Sequence, residues 1–230
     1  MNELLQNSVF FGVFLSLAAY EAGLFLKKKW KLAIFNPLLV AIVLVLACLL
    51  LFRIDYGTYE YGAKYISFFL TPATVCLAIP LYEQWEALKE NAKAVLIGIT
   101  TGVLASLLSI YLLARLFGLS HEQYVTLLPK SITTAIGMDV SKELGGIVTI
   151  TVAVIVLTGV LGNVIAEHVC RLFRIQEPVA KGIAIGSAAH AIGTAKALEI
   201  GEVEGAMSSL SIVIAGLLTV FGANVFSMLM

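Results

Sequence analysis

Residues 129–137 read Pro-Lys-Ser-Ile-Thr-Thr-Ala-Ile-Gly, a proline, a cation, three hydroxyls and a glycine in an otherwise apolar chain. Residues 72–80 (Pro-Ala-Thr-Val-Cys-Leu-Ala-Ile-Pro) and 185–193 (Ile-Gly-Ser-Ala-Ala-His-Ala-Ile-Gly) follow a similar pattern about 57 positions away on either side. Each contains a hydroxyl, then an Ala-Ile pair, then a proline or glycine that can interrupt a helix. An interrupted helix at membrane depth must line a cavity or be buried in protein, because lipid cannot satisfy its backbone. The sequence therefore predicts that these three segments form the functional site.

The composition indicates a membrane protein. The 230 residues are 60% hydrophobic and only 13% charged, against roughly 25% charged in a soluble domain. Five uninterrupted apolar runs approach the ~20 residues that span a bilayer, and three more are interrupted. The uninterrupted runs are 8–26, 37–52, 94–113, 147–166 and 206–230, and the interrupted ones lie around 65–82, 124–138 and 182–198. We expect an all-α polytopic protein with about 7–8 transmembrane segments, two or three of them discontinuous or re-entrant.

The spacing of about 57 residues also predicts an internal repeat. Residues 101–104 (Thr-Gly-Val-Leu) recur at 158–161, and glutamates 86, 143 and 199 keep the same spacing. We interpret residues 1–230 as one domain, with two plain helices in 1–60 and repeat units at 61–118, 119–175 and 176–230. Repeats of this kind are typical of transporters, whose sites lie on discontinuous helices near the midplane. Duplicated helices that merely pack together are the alternative.

Basic residues indicate the orientation of the chain. The cluster at 27–31 and the cluster formed by Arg171, Arg174 and Lys181 are both expected in the cytoplasm, with the N-terminus outside. Two cytoplasmic clusters require an even number of crossings between them. This condition is met if residues 121–143 enter and leave on one side, so the charge pattern favours a re-entrant segment there.

Several function classes are excluded by what the sequence contains. The net charge is zero and the basic residues form no long stripe, so we expect no nucleic-acid partner. The three cysteines are far apart, and no phosphate loop, zinc motif or nucleophile elbow is present. We therefore expect no enzymatic activity, no cofactor and no metal site.

The polar residues at the interruptions are suited to binding a small carboxylate. Thr71 followed by Pro72 predicts a helix start, and Pro129 predicts another with Lys130 beside its free N–H groups, which attract anions. The candidate substrate-binding residues are Thr71, Thr74, Lys130, Ser131, Thr133, Thr134, Ser187, His190, Gly193 and Thr194. The candidate helix breaks are Pro72, Pro80, Pro129, Gly137 and Gly186.

Each of these residues also has a structural alternative. The hydroxyls could cap nearby backbone carbonyls, and Lys130 could extend to an interface instead of a cavity. His190 could load and release a proton, or it could bond a backbone carbonyl across helices.

Several strings in the chain resemble the LrgB/CidB family. They are Asn36-Pro37-Leu38-Leu39, Pro72-Ala73-Thr74-Val75, Ala78-Ile79-Pro80-Leu81-Tyr82, Pro129-Lys130-Ser131, Gly145-Gly146-Ile147, His190-Ala191-Ile192-Gly193-Thr194-Ala195 and Glu204-Gly205-Ala206. The match covers nearly the whole chain in order. Where the family usually has Thr-Pro-Ile-Ala after Pro-Lys-Ser, this chain has Thr134-Ala135-Ile136-Gly137.

The resemblance implies two functions. One is a transporter of small monocarboxylates such as glycolate, glycerate or pyruvate, as in the related plastid transporter. The other is a holin-like or antiholin-like regulator of murein hydrolases and lysis that acts with a small LrgA/CidA-type membrane protein. Both imply a multi-pass protein of the bacterial inner membrane, and we expect a homo-oligomer. A holin that forms lesions by oligomerising does not need particular polar residues, so the presence of Lys130 and His190 favours the transporter. In one version of this function, transport is coupled to protons through His190.

Overall fold

A computed structural model describes residues 8–30 and 35–230, and within these residues the regular structure is entirely helical. The helices are α1 (Val9–Trp30), α2 (Pro37–Leu51), α3 (Tyr56–Ser67), α4 (Leu70–Cys76), α5 (Ala78–Glu83), α6 (Trp85–Phe117), α7 (His121–Leu127), α8 (Thr134–Glu143), α9 (Val148–Leu172), α10 (Pro178–Ile200) and α11 (Glu202–Ser227). Five described segments are long and apolar enough to cross a membrane: Val9–Trp30, Tyr56–Glu83, Trp85–Phe117, Val148–Leu172 and Glu202–Ser227. The prediction of an all-α polytopic membrane protein is confirmed.

The helices form two compact units, Met1–Cys76 and Leu77–Met230. In the first unit, α1 and α3 cross closely where glycines face each other, since a Cβ on Gly12 would overlap the backbone of Tyr59 and Ala63. The hydroxyls of Ser16 and Tyr59 lie 2.8 Å apart beside this crossing. Close approach through glycine is a common way to pack helices in membranes.

The second unit is built on three long helices, α6, α9 and α11. Its main apolar core includes Ile99, Leu107, Tyr124 and Met207, which are almost completely buried. The Tyr124 hydroxyl donates to the Phe226 carbonyl oxygen at 2.9 Å, so the start of α7 lies beside the end of α11.

Helices α7 and α8 fold back on each other as a first hairpin. The Thr151 hydroxyl, near the start of α9, donates to the Thr126 carbonyl oxygen at 2.9 Å, and its oxygen lies 2.6 Å from the Ser141 hydroxyl oxygen. Thr126 is near the end of α7 and Ser141 is near the end of α8, so both helices contact the start of α9. Arms of 7 and 10 residues, at ~1.5 Å per residue, are too short to cross a bilayer. The re-entrant course through the membrane that the charge pattern favours for residues 121–143 stays a prediction.

Helix α10 is a second hairpin, not a straight helix. Its dihedral angles leave the helical region at Ala189 (φ −130°, ψ 16°) and His190 (φ 42°, ψ −142°). In a straight helix Lys181 and Glu199 would be about 27 Å apart, yet both line one cavity at the end of α9. The first arm of α10 therefore runs antiparallel to α9 and the second arm runs parallel to it.

The two hairpins enter the second unit from opposite ends of α9. The first meets α9 near Thr151, whereas the second meets it near Glu167, which pairs with Lys196 at 2.6 Å. Each hairpin is followed by an uninterrupted helix, α9 or α11, and these two helices run in opposite directions. The predicted unit boundaries at 118/119 and 175/176 fall in the loops that precede the hairpins.

The two prolines of the segment 72–80 lie inside short helices instead of at the interruptions themselves. Pro72 is in the first turn of α4 and Pro80 is in the first turn of α5. The regular helical hydrogen bonding is interrupted just before them, at 68–69 and at 77, although Phe68 and Leu77 keep helical dihedral angles. This position is expected, because proline has no N–H to donate to the carbonyl oxygen four residues earlier. The missing hydrogen bond therefore interrupts the helix before the proline, and the proline itself begins the next helix.

Two glycines predicted as breaks are also helical. Gly137 lies inside α8 and its N–H donates to the Thr133 carbonyl oxygen at 2.8 Å. The interruption lies at 128–133, around Pro129. Gly186 lies inside the first arm of α10, where a Cβ would overlap the backbone of Ser208. Its lack of a side chain therefore serves close packing on α11, not a break.

Candidate functional site

The tips of both hairpins meet at a cavity of about 600 Å³, which we call the central cavity. Its lining comes from four elements of the second unit. Helix α6 contributes Gly102, Ala105, Ser106 and Ser109, the first hairpin Lys130 and Ser131, α9 Thr158, Leu161, Gly162 and Ile165, and α10 Ala184, Ser187 and Ala188. The structure thus brings together three of the predicted site residues, Lys130, Ser131 and Ser187.

Lys130 places a cation on the cavity wall. Its Nζ donates to the Ser131 hydroxyl at 3.0 Å and to the Ser106 hydroxyl at 3.3 Å. Within the described residues no carboxylate forms an ion pair with it; the ion pairs there involve other cations. An ammonium has three N–H donors, so one donor remains for a ligand. An amine held in this way can bind an anion by charge and hydrogen bonding together.

The cavity lies at the middle of the long helices. Gly102 and Ser106 are near the midpoint of α6 (Trp85–Phe117), and Thr158 and Gly162 are near the midpoint of α9 (Val148–Leu172). A charged group at such a depth is costly and marks a functional site by default. The snorkelling alternative for Lys130 would require a position near a helix end, which the lining does not support.

The hydroxyls around the cavity make hydrogen bonds within the protein. The Ser187 hydroxyl donates to the Ile183 carbonyl oxygen at 2.7 Å, as the capping alternative anticipated. Its oxygen also faces Gly102, where a Cβ would lie 3.1 Å from it. The Ser106 and Ser131 oxygens are 3.3 Å apart. These groups form a polar wall beside the ammonium.

His190 lies at the tip of the second hairpin but outside the cavity lining. It is 3% exposed, and its Nε2 is 3.0 Å from the Ile155 carbonyl oxygen. This is the structural alternative stated for His190, a bond to a backbone carbonyl of another helix. Its φ of 42° is in a region that favours glycine, so the surrounding contacts hold a strained tip in place.

Thr194 and Gly193 stabilise the same tip. The Thr194 hydroxyl donates to the His190 carbonyl oxygen at 3.0 Å and lies 2.7 Å from the Ser208 hydroxyl. Gly193 packs on the opposite arm, where a Cβ would be 3.1 Å from the Ile185 carbonyl oxygen. Neither residue lines the central cavity.

The predicted helix starts do not contribute Thr71, Thr133 or Thr134 to the lining of the central cavity. Helix α4 begins at Leu70, so Thr71 is inside it and is not its N-cap. Thr71 and Thr74 belong to the first unit, and the side chain of Thr74 lies outside the described residues. Helix α8 begins at Thr134 with Thr133 as its N-cap. Lys130 is therefore in the turn at the hairpin tip, and neither Thr133 nor Thr134 lines the cavity.

Sequence reasoning missed the contribution of α6 and α9. Ser106, Ser109 and Gly102 lie on an uninterrupted helix, where small polar residues look like ordinary packing positions. One signal was available, because Gly102 and Thr158 both belong to the tetrapeptide that recurs at 101–104 and 158–161. Among the described residues, no group of three His, Cys, Asp or Glu could hold a metal ion.

Opposed hairpins and long apolar helices, with Lys130 and several serines at the cavity between them, define a polytopic membrane protein with polar groups midway along its helices. The chain belongs to the LrgB-like family, whose profile matches residues 16–229. It is 39% identical to the antiholin-like protein LrgB of Bacillus subtilis (strain 168), over 95% of each chain. It is 36% identical to the holin-like protein CidB of Staphylococcus aureus (strain Mu50 / ATCC 700699), again over 95% of each. No solved structure matches the chain.

Proposed function

We propose that this protein transports small monocarboxylates across the bacterial inner membrane through the central cavity. The observation that supports it is Lys130, an ammonium without a carboxylate partner among the described residues, which lines a cavity midway along the long helices. A lysine at this depth needs an anion or water to offset its desolvation. A carboxylate supplies a charge of the opposite sign and acceptors for the remaining N–H group.

The size and chemistry of the cavity fit a two- or three-carbon acid. About 600 Å³ is within the range of small-molecule sites. In the proposed complex the carboxylate lies against Lys130 and accepts from Ser131 or Ser106. A substrate hydroxyl donates to the Ser187 oxygen, or a substrate keto oxygen accepts from Thr158. The buried bond of His190 to Ile155 supports a structural role, so the proposal assigns it no proton step. Substrate contacts by Thr71 and Thr74 stay a prediction.

The second candidate is a holin-like or antiholin-like regulator of lysis. The names of the relatives favour it, because they are antiholin-like LrgB and holin-like CidB, and they give no support to a monocarboxylate substrate. In this function the protein acts with an LrgA/CidA-type partner and has a non-enzymatic role. The geometry favours the transporter and the relatives' names favour the regulator, so the two need a direct experiment.

Purified protein in liposomes distinguishes them. A transporter takes up radiolabelled glycolate, glycerate, lactate or pyruvate with saturable kinetics, while an entrapped dye of several hundred daltons stays inside. Release of the dye together with non-saturable acid flux, enhanced by adding the partner, would instead support the regulator. If intact, monodisperse protein shows no saturable uptake of any of the four acids, the transporter proposal is wrong.

A further inference from the structure

A second cavity lies where α9 ends and the two arms of α10 come together, and we call it the foot cavity. Its volume is about 550 Å³. Three cations and two carboxylates are among its lining residues, namely Arg171, Arg174, Lys181, Glu167 and Glu199. The sequence predicts that the three cations lie on the cytoplasmic side of the membrane. The proposed transport assigns no role to this cavity.

Both carboxylates of the foot cavity are paired with a lysine that lies outside its lining. The Lys196 ammonium is 2.6 Å from Glu167 and 3.2 Å from Glu199. Arg171 also pairs with Glu167, at 3.2 Å. Because each carboxylate already has a cation beside it, the two glutamates leave little negative charge to repel an anion in the cavity.

The cations of this region exceed its carboxylates by one, and the extra cation is Arg174. The third lining cation, Lys181, pairs with Glu204 at 3.6 Å. Arg174 forms no ion pair with any residue that the structure describes. The lining residues and their ion-pair partners therefore carry four positive and three negative charges. A ligand with a single negative charge would balance them.

The backbone of Arg174 has a conformation that favours glycine. Its φ is 54°, in the left-handed region where a side chain is strained. The end of α9 is closed there by a hydrogen bond from the N–H of residue 175 to the carbonyl oxygen of residue 170, at 2.8 Å. Arg174 therefore occupies the position just past a helix end at which glycine is the usual residue.

The end of α6 has the same geometry with a glycine. The sequence Arg-Leu-Phe occurs at 115–117 and again at 171–173, and the next residue is Gly118 in the first case and Arg174 in the second. Gly118 has a φ of 62°, and the N–H of residue 119 donates to the carbonyl oxygen of residue 114 at 3.0 Å. A strained residue beside a cavity indicates a function. The group that arginine adds at this position is its guanidinium.

Arg174 follows two residues that face the hydrocarbon of the membrane. Leu172 and Phe173 are 76% and 70% exposed, at the end of a helix that is long and apolar enough to span a bilayer. The guanidinium next to them is therefore at the boundary between acyl chains and headgroups. A guanidinium binds phosphate through two parallel N–H bonds, and basic pockets between membrane helices bind anionic headgroups.

We propose that the foot cavity binds the phosphate of an anionic phospholipid of the phosphatidylglycerol type. Arg174 donates to the phosphate, and the acyl chains lie against Leu172 and Phe173. The phosphodiester carries the single negative charge that balances the cavity. A zwitterionic headgroup would bring another cation to it, and a soluble phosphate would lack the apolar contacts. The site does not depend on the proposed transport.

Thermal unfolding of the full-length protein in detergent tests the site. Phosphatidylglycerol should raise the melting temperature of the parent more than phosphatidylcholine with the same acyl chains, because a ligand stabilises the state that binds it. Arg174→Gly removes the cation and the backbone strain together. Without phosphatidylglycerol this variant should melt no lower than the parent and up to about 4 °C higher. Phosphatidylglycerol should then stabilise it no more than phosphatidylcholine does.

Native mass spectrometry measures the bound lipid directly, from micelles that contain both lipids in equal amounts. The parent should retain phosphatidylglycerol in preference to phosphatidylcholine. Arg174→Gln should retain about fivefold less phosphatidylglycerol, the effect expected of one basic residue near a charged membrane surface. Arg174→Lys should lie between the two, because it keeps the charge and loses the paired N–H donors.

Arg115→Gln is the matched control. Arg115 is exposed in the last turn of α6, precedes the same Leu-Phe pair, and lies outside the lining of the foot cavity. Its replacement should leave the retention of phosphatidylglycerol unchanged. An equal loss in Arg115→Gln, or no loss in Arg174→Gln, would overturn the site. If inorganic phosphate in phosphatidylcholine micelles stabilised the parent as much as phosphatidylglycerol does, the assignment to a lipid would be wrong.

Discussion

Replacing Lys130 by methionine removes the cation from the central cavity while keeping most of the side-chain volume. Two of its N–H groups are directed to Ser131 and Ser106, at 3.0 and 3.3 Å, so a carboxylate gains one charge-assisted hydrogen bond from it. Such a bond contributes about 1.5–3 kcal/mol. The full Coulomb attraction at 4 Å, about 4 kcal/mol at an effective dielectric constant of 20, is an upper limit because the carboxylate is also desolvated.

At about 1.4 kcal/mol per tenfold change in affinity, Lys130→Met should raise the KM for uptake roughly 10- to 100-fold. The assay is the initial rate of uptake into liposomes over a range of acid concentrations. Lys130→Arg keeps the charge and should lie between the parent and the methionine variant. Lys142→Met is the matched control, because Lys142 is in the same hairpin but exposed. A KM unchanged in Lys130→Met, with equal amounts of protein in the liposomes, would refute the assignment of Lys130 to the carboxylate.

Three further predictions concern stability and are checked by thermal unfolding in detergent. Gly186→Val should destabilise the protein by about 1–3 kcal/mol, because its side chain would overlap the backbone of Ser208; an unchanged melting temperature would mean that the arm does not pack there. His190→Gly should be more stable than His190→Ala by about 1–2 kcal/mol, since glycine adopts a φ of 42° without strain, and the reverse order would contradict the strained tip. Thr151→Val should cost about 1–3 kcal/mol by leaving buried polar groups unpaired, whereas the exposed Thr100→Val should change little, and equal effects would argue against the hydroxyl cluster that fixes the first hairpin.

The sequence predicted the fold class better than the positions of the helix interruptions. Apolar runs and the polar residues at 129–131 were sufficient to predict a membrane protein with an interrupted segment. The position of the fold-back at Ala189–His190 could not be predicted from the sequence, because a glycine such as Gly186 or Gly193 can mark either a helix interruption or a close packing contact. Here both serve packing, against Ser208 and Ile185, and the break falls on residues that are not usual helix breakers.

The second partner of Lys130, Ser106, could not be predicted either. Ser106 comes from an uninterrupted helix 24 residues before it, and no local pattern relates a serine on such a helix to the tip of a hairpin. Tertiary packing alone brings them together. The recurring tetrapeptide marked the correct helices, but it could not distinguish residues that line a cavity from residues that only pack.

The short arms of the first hairpin have a consequence for biogenesis. Arms of 7 and 10 residues joined by a lysine-containing turn are poor substrates for lateral release from the translocon, where a central lysine alone costs about 2.5–3.5 kcal/mol. The Thr151 hydroxyl that holds both arms belongs to α9, which is synthesised later. We therefore expect α6 and α9 to insert into the bilayer first. The hairpin of α7 and α8 then inserts from the aqueous side, after α9 has been synthesised.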